Sequence, residues 1–197
     1  MSSGDTKATR RAILDATRAL LDQPGAATVG MGRIAAEAGF SRQAIYRHFG
    51  SRAGLLKAVL VDIDERAGAA AAVERILDAG HPPAVLDALV AWWAEYVADF
   101  AGIARSVYAG RAADPDLAVA WEDRMEALMD VCRLVAGRCA EAGQLRDELS
   151  RSAAAEVLWG LLSIPLWDQL VVDRGWSHAR YERRLGLMAR ATLLDPD

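Results

Sequence analysis

The chain has 197 residues, enough to bury roughly 70% of its unfolded surface in one large domain or in a small domain fused to a larger one. Its two cysteines are too few for a disulfide framework, so we expect buried apolar thiols in a reducing, cytoplasmic environment, with a redox or metal role as the alternative. The formal net charge of −4 conceals a basic segment: residues 1–60 hold nine Lys and Arg against four Asp and Glu, whereas residues 61–197 hold 14 against 23. This distribution fits a nucleic-acid-binding domain over residues 1–60 joined to an acidic domain over residues 61–197.

Helical periodicity dominates the sequence and alternating strand patterns are absent, which predicts an all-α fold of about nine helices. The first helix is predicted over residues 7–21, and Pro24 and Gly25 are expected to stop it. Its inward face is predicted to carry Ile13, Thr17, Leu20 and Leu21.

Two short helices follow. The second is predicted over residues 31–38 and ends at Gly39, which can adopt the left-handed conformation. The third begins after Ser41, whose hydroxyl can cap it, and reaches Phe49. Two short helices joined by a tight turn are the design of a helix-turn-helix, which places its second helix in the major groove of DNA.

The middle of the chain is predicted to form three further helices. The fourth starts at Ser51 and continues to residue 78, with a weak point near Gly68. The fifth follows residues 81–83, and a short sixth covers residues 103–108. One face of the fifth carries the apolar residues Leu86, Leu89, Trp93, Tyr96 and Phe100.

The seventh helix has clear signals at both ends. Asp114 is the predicted N-cap, Pro115 occupies the first helical position, and Gly143 ends the helix. Its apolar stripe is Leu117, Trp121, Met125, Leu128, Cys132, Val135 and Cys139.

The eighth helix is predicted from Ser150 to residue 173 with a kink or break at Pro165, and the ninth from Ser177 to residue 194. The eighth is apolar on more than one side, which favours a homodimer interface through the eighth and ninth helices; a helix central within one subunit is the alternative. Its apolar stretch is shorter than the roughly 20 residues that a spanning helix needs, and the N-terminus has no signal-peptide pattern, so no membrane partner is expected.

The residues expected to read DNA bases lie in the first turn of the third helix. They are Arg42, Gln43 and Ala44. Arginine can pair with guanine and glutamine with adenine through two hydrogen bonds, and an alanine methyl can lie against a thymine methyl.

A block of motifs spans the helix-turn-helix and the following helix: Ile34-Ala35, Gly39-Phe40-Ser41, Ile45-Tyr46-Arg47-His48-Phe49, Ser51-Arg52, Leu55-Leu56 and Ala58-Val59. This block resembles the TetR-like family of bacterial transcriptional regulators, with the resemblance covering residues 7–60. The resemblance implies an all-α homodimer. Its three N-terminal helices would bind double-stranded operator DNA, and the remainder would bind a small-molecule effector and dimerise.

The resemblance also implies further DNA contacts. Tyr46, Arg47, His48 and Arg52 match phosphate-holding positions. Arg33 and the N-terminal arm (Lys7, Arg10 and Arg11) are expected to add backbone contacts, with a solvated basic face as the alternative for Arg10 and Arg11. The whole predicted DNA-binding set is Arg33, Ser41, Arg42, Gln43, Ala44, Tyr46, Arg47, His48 and Arg52. The chain departs from the family just before the second helix. Val29 and Gly30 replace the usual hydroxyl residues there, and Thr28 lies one residue early.

These features predict a ligand-responsive, sequence-specific transcriptional repressor that uses no cofactor and is released from its operator by a small apolar or aromatic effector. The candidate effector-binding residues, for which core packing is the alternative, are Trp93, Tyr96, Phe100, Trp121, Met125 and Trp159. A helical ligand-binding dimer without DNA function is the alternative for the whole chain.

An enzyme is not predicted. Residues 30–35 formally fit the dinucleotide fingerprint G-x-G-x-x-A, but no strand precedes them. The three histidines are far apart and lack metal-ligand spacing, so neither catalytic residues nor a metal site is predicted.

Overall fold

A computed structural model describes residues 3–23 and 29–195. Within these ranges it contains ten α-helices, one π-helical segment and no strand, which confirms the all-α fold. The elements are α1 (Ser3–Leu21), α2 (Met31–Ala38), α3 (Arg42–Phe49), α4 (Arg52–Arg66), α5 (Ala69–Leu77), α6 (Pro82–Gly110), α7 (Pro115–Glu141), α8 (Arg151–Leu161), α9 (Ile164–Trp167), the π-helical segment Asp168–Asp173 and α10 (His178–Leu193).

The described residues form two compact units. The first contains residues 3–23, 29–66 and 100–125, and the second contains residues 67–99 and 126–195. The functional boundary at residue 60 stays a prediction.

In the first unit, α1 to α4 pack on one another around an apolar core. All four residues predicted to face inward from α1 are buried, and the hydroxyl of Thr17 is satisfied by donating to the carbonyl of Ile13 at 2.8 Å. The helix ends at Leu21, while Pro24 and Gly25, its predicted stop, lie outside the described residues. The predicted inward face of α1 is therefore confirmed.

The predicted helix-turn-helix is confirmed in its local geometry. Gly39 ends α2 with φ of 72°, a left-handed conformation that favours glycine. The Ser41 hydroxyl then caps α3 by accepting the backbone N–H of Ala44 at 3.1 Å. These two residues fix the turn between the helices.

The predicted fourth helix is two helices. Gly68 has φ of 63° and separates α4 from α5, so the expected weak point is a complete break. A left-handed residue cannot continue a right-handed helix, and glycine adopts that conformation without the steric cost of a Cβ atom.

The predicted division between a fifth and a sixth helix is wrong, because α6 runs unbroken from Pro82 to Gly110. Gly102 lies inside it, where glycine costs only about 1 kcal/mol relative to alanine and does not stop a helix. A Cβ atom on Gly102 would clash with a carboxylate oxygen of Asp22. The glycine therefore permits close packing.

The predicted break at Pro165 is confirmed. Helix α8 ends at Leu161, and the chain bends by 46° before the segment that begins at Ile164. Pro165 lies in the first turn of α9, where its missing N–H leaves no helical hydrogen bond unmade. Within the described residues no single helix is long and apolar enough to cross a membrane; the bent pair from Arg151 to Asp173 passes that test by length and composition only.

The second unit has a polar contact and two thiols in its core. The indole Nε1 of Trp93 donates to the Tyr181 hydroxyl at 3.1 Å, and burial raises the pKa of Tyr181 to about 12. Burial also raises the pKa of Cys132 to about 12 and that of Cys139 to about 11. Both cysteines are free and buried, which confirms the predicted apolar thiols.

Candidate nucleic-acid interface

Helix α3 is anchored by one apolar side chain and exposes polar ones. Ile45 is fully buried, whereas Arg42, Gln43, Tyr46 and Arg47 are exposed. The exposed side chains supply cationic, amide and phenol groups on a helix of eight residues. These groups can reach base edges and phosphates in a major groove.

Three other predicted DNA-contact residues, the N-cap of α3 and two residues on the helix, are partly buried or hydrogen-bonded within the fold. The hydroxyl of Ser41 uses its oxygen as the α3 cap and keeps its proton for donation. The side chain of Ala44 is half-buried. His48 is also half-buried, and its Nε2 is buried with no hydrogen-bond partner among the described residues. The geometry thus gives the exposed side chains freer access to DNA than His48.

Arg42 lies against α2. A Cβ atom built on Gly32 would be 2.6 Å from Nη2 of Arg42 and 3.4 Å from its Cζ. The guanidinium of the third helix therefore occupies space that a side chain at position 32 would take.

The start of α2 lacks a side-chain cap. Its N-cap residue, Gly30, has extended backbone angles and makes no capping hydrogen bond through a side chain, and Val29 is buried. The hydroxyl contact usual in the family is therefore missing at these two positions. Thr28 lies outside the described residues.

Arg52, predicted to hold a phosphate, is engaged inside the first unit. Its Nε and Nη2 donate to the carbonyl of Val29 at 3.1 and 3.0 Å, and its Nη1 pairs with Asp114 at 2.8 Å and Asp116 at 3.3 Å. Only 13% of the Arg52 side chain is exposed. Its predicted phosphate contact stays a prediction. The structure also gives Arg52 a second role, because its contacts link the start of α4 to the start of α7.

The contact with Arg52 helps to lower the pKa of the Asp114 carboxyl. Burial alone would raise the pKa, but the hydrogen bond and charge of Arg52, with the backbone N–H groups of Leu117 and Asp116, outweigh it. The net pKa lies below the ordinary aspartate value, so the carboxylate is ionised beside Arg52. Asp114 also accepts from the N–H groups of Asp116 and Leu117, which confirms its predicted role as the cap of α7.

Three of the remaining basic candidates have partners within the fold. Arg33 donates to the Gln23 side chain at 2.6 Å. Arg10 lies 4.5 Å from the centre of the Phe49 ring, and Arg11 pairs with the buried Asp62 at 3.1 Å. Lys7 is exposed on α1. Arg10 and Arg11 thus join α1 to α3 and α4, and Arg33 joins α2 to the residues after α1. These side chains are therefore less free to move toward DNA than those exposed on α3.

The predicted effector-binding residues divide between the units. Trp93 and Tyr96 are buried in the second unit with ring centres 6.3 Å apart, and Trp159 there is 37% exposed. In the first unit, Phe100 is buried, whereas Trp121 and Met125 are half-buried. A common cavity for these six residues stays a prediction.

Sequence reasoning missed Asp114 and Asp116 as partners of Arg52, and Gly32 as the neighbour of Arg42. The N-cap pattern identified Asp114 but gave no sign of a partner 62 residues earlier. For Gly32 a signal was present, because a glycine inside a short helix needs a local reason.

Comparisons with known proteins identify the family to which this chain is similar. The family model described as bacterial regulatory proteins, tetR family, matches residues 13–59. The HTH-type transcriptional repressor LfrR of Mycolicibacterium smegmatis is 33% identical over 165 residues, which cover 82% of this chain and 79% of LfrR.

Solved structures show the same fold. Native NalD, the secondary repressor of the MexAB-OprM multidrug efflux pump in Pseudomonas aeruginosa, superposes with a TM-score of 0.72 at 21% identity, covering 96% of this chain and 98% of NalD. A TetR transcription regulator from Haloarcula marismortui gives a TM-score of 0.67 at 18% identity, covering 96% of this chain and 100% of that protein. At these identities the likeness concerns the fold alone.

Proposed function

Since the chain belongs to the TetR family of bacterial regulatory proteins, we propose that it is a sequence-specific transcriptional repressor released from its operator by a small apolar or aromatic effector. The proposal rests on α3, which combines a buried anchor, Ile45, with exposed Arg42, Gln43, Tyr46 and Arg47. That display supports a DNA-reading protein over a helical ligand-binding dimer without DNA function. LfrR, its relative, carries the name of a repressor, which supports repression over activation.

The contacts divide by chemistry. Arg42 and Gln43 are the proposed base-reading residues, with Ala44 against a thymine methyl. Tyr46 and Arg47, exposed one turn later, are proposed to hold phosphates. The basic composition of residues 1–60 adds the sequence-independent attraction to DNA that every such contact set needs.

Release by an effector follows from a shift between conformations. A ligand that prefers the conformation unfit for DNA weakens operator binding by its ratio of affinities for the two states. We expect aromatic compounds that quench the tryptophan fluorescence of the protein to raise its Kd for an operator duplex by about tenfold or more. The operator is obtained by selection from random-sequence duplexes, and Kd is measured by fluorescence anisotropy. Compounds that bind but leave this Kd unchanged would contradict effector control.

The dimer interface is proposed to lie on α8 and α10. These two helices pack together in the second unit, yet Trp159 on α8 and Leu187 and Met188 on α10 remain at least one-third exposed. Large apolar side chains exposed on adjoining helices are typical of a surface that is covered by a second protomer.

Leu187→Glu is expected to weaken dimerisation by about tenfold or more, because it would bury an unpaired charge in the interface. Sedimentation velocity over a range of concentrations measures the effect. Val119→Glu is the matched control: Val119 lies on α7, and its 43% exposure is close to the 44% of Leu187. If Leu187→Glu dimerised as tightly as Val119→Glu, the interface would lie elsewhere.

A further inference from the structure

Two glycines stand near the start of α2, and they differ in what surrounds them. A Cβ atom on Gly30 would meet nothing within 4 Å, whereas one on Gly32 would lie 2.6 Å from Nη2 of Arg42. Gly32 does not have the positive φ that favours glycine at Gly39 and Gly50. Its backbone would accept alanine, so the reason for glycine at this position is space.

The occupant of that space is a proposed base-reading side chain. An arginine side chain has many rotamers, and fixing it at an interface costs conformational entropy. A guanidinium that already packs against α2 has lost part of that freedom before DNA arrives. The planar Arg42 guanidinium then presents its N–H donors to DNA from a fixed position.

We propose that Gly32 is a specificity-determining positioning residue: the absence of its side chain lets the Arg42 guanidinium pack against α2 and sets where Arg42 meets the DNA. The inference rests on the proposed function. It adds Gly32, a residue without a side chain, to the residues that determine how this protein binds DNA. It also gives a physical reason for the second glycine of the G-x-G-x-x-A pattern, which has no dinucleotide-binding context here.

Gly32→Ala separates this role from a structural one. The atom that must move is the far end of a flexible side chain, and alanine is the better helix former, so the fold is expected to be as stable as before or more so. DNA binding is expected to weaken while the melting temperature is maintained. A structural defect would lower both.

The experiment is a double-mutant cycle on the selected operator duplex, with Gly32→Ala, Arg42→Ala and the double variant, and with Gly30→Ala as a structural contrast. We expect Gly32→Ala to raise Kd about three- to tenfold in the wild-type background and to have no effect in the Arg42→Ala background. Gly30→Ala adds the same methyl group without meeting Arg42 but replaces the N-cap of α2, where alanine is poorer than glycine, so a rise in its Kd is expected only together with a lower melting temperature. On duplexes substituted one base pair at a time, Gly32→Ala and Arg42→Ala are expected to alter preference at the same position.

Two results would overturn the proposal: losses from Gly32→Ala and Arg42→Ala that multiply in the double variant, or an unchanged Kd for either single variant. Both leave the repressor assignment intact if the wild-type protein still prefers its operator. A wild-type protein that binds all duplexes equally would instead contradict the proposed function.

Discussion

Arg52→Ala is expected to lower the free energy of unfolding by about 2–3 kcal/mol, less than the loss for a fully buried pair because a small part of the side chain is exposed. The substitution removes the donors from the Val29 carbonyl and the cation from Asp114, whose side chain is only 17% exposed. A carboxylate withdrawn from water and left without its partner is costly. Urea unfolding followed by circular dichroism at 222 nm measures the change.

An exposed pair provides the control. Arg133 pairs with Glu126 at 2.6 Å and Asp130 at 2.7 Å, but its side chain is 53% exposed. Arg133→Ala is expected to cost much less stability than Arg52→Ala, since water and salt screen such exposed pairs. If both arginine variants lost the same stability, the link between α4 and α7 would contribute nothing beyond a surface ion pair.

The contribution of the Arg52–Asp114 contact to folding stability depends on pH. The pKa of Asp114 in the folded protein lies below its ordinary value, so ionised Asp114 favours folding above pH about 4, near the aspartate pKa in the unfolded chain. That stabilisation is lost as the pH falls through the lower, folded value. The destabilisation by Arg52→Ala is therefore expected to be largest near neutral pH and to shrink in acid.

Gln43→Ala is expected to raise the Kd for the operator about 5- to 150-fold, the loss of one two-bonded contact with adenine worth about 1–3 kcal/mol. Gln43 is exposed in the first turn of α3, so its replacement removes no buried contact from the fold. Anisotropy titrations against single base-pair substitutions are expected to locate the loss at one position. Binding to scrambled duplex is expected to be unchanged.

Gln144→Ala is the matched control, because Gln144 is also an exposed glutamine and lies in the loop after α7. It is expected to bind the operator like the wild-type protein. If Gln43→Ala weakened operator and scrambled duplex equally, Gln43 would be a backbone contact, and base reading would fall to other residues.

The predictable part of this fold is local. Gly39 and Ser41 delimit the helix-turn-helix, and Ser150 and Ser177 cap α8 and α10, each accepting a backbone N–H within the next three residues. Such signals act between neighbours in the chain, and periodicity then indicates which face is buried. Helix α3 could be predicted from the sequence for the same reason.

The unpredicted part depends on residues far apart in sequence. In the sequence, Gly102 has the features of a helix end, but in the structure it packs against Asp22. Arg52 has the features of an unpaired cation, but in the structure it pairs with Asp114 and Asp116. A sequence pattern gives each residue's type and spacing but not its distant partner. The packed structure supplies those partners.

Sequence-selective DNA binding is the central claim, and the most direct test is a fluorescence-anisotropy titration of the wild-type protein against its selected operator and a scrambled duplex, each at two salt concentrations. We expect the operator to be bound about a thousandfold more tightly or better, with two protomers per site and an affinity that falls as salt rises. Equal, weak binding to both duplexes would contradict the repressor assignment and favour a helical ligand-binding dimer without DNA function.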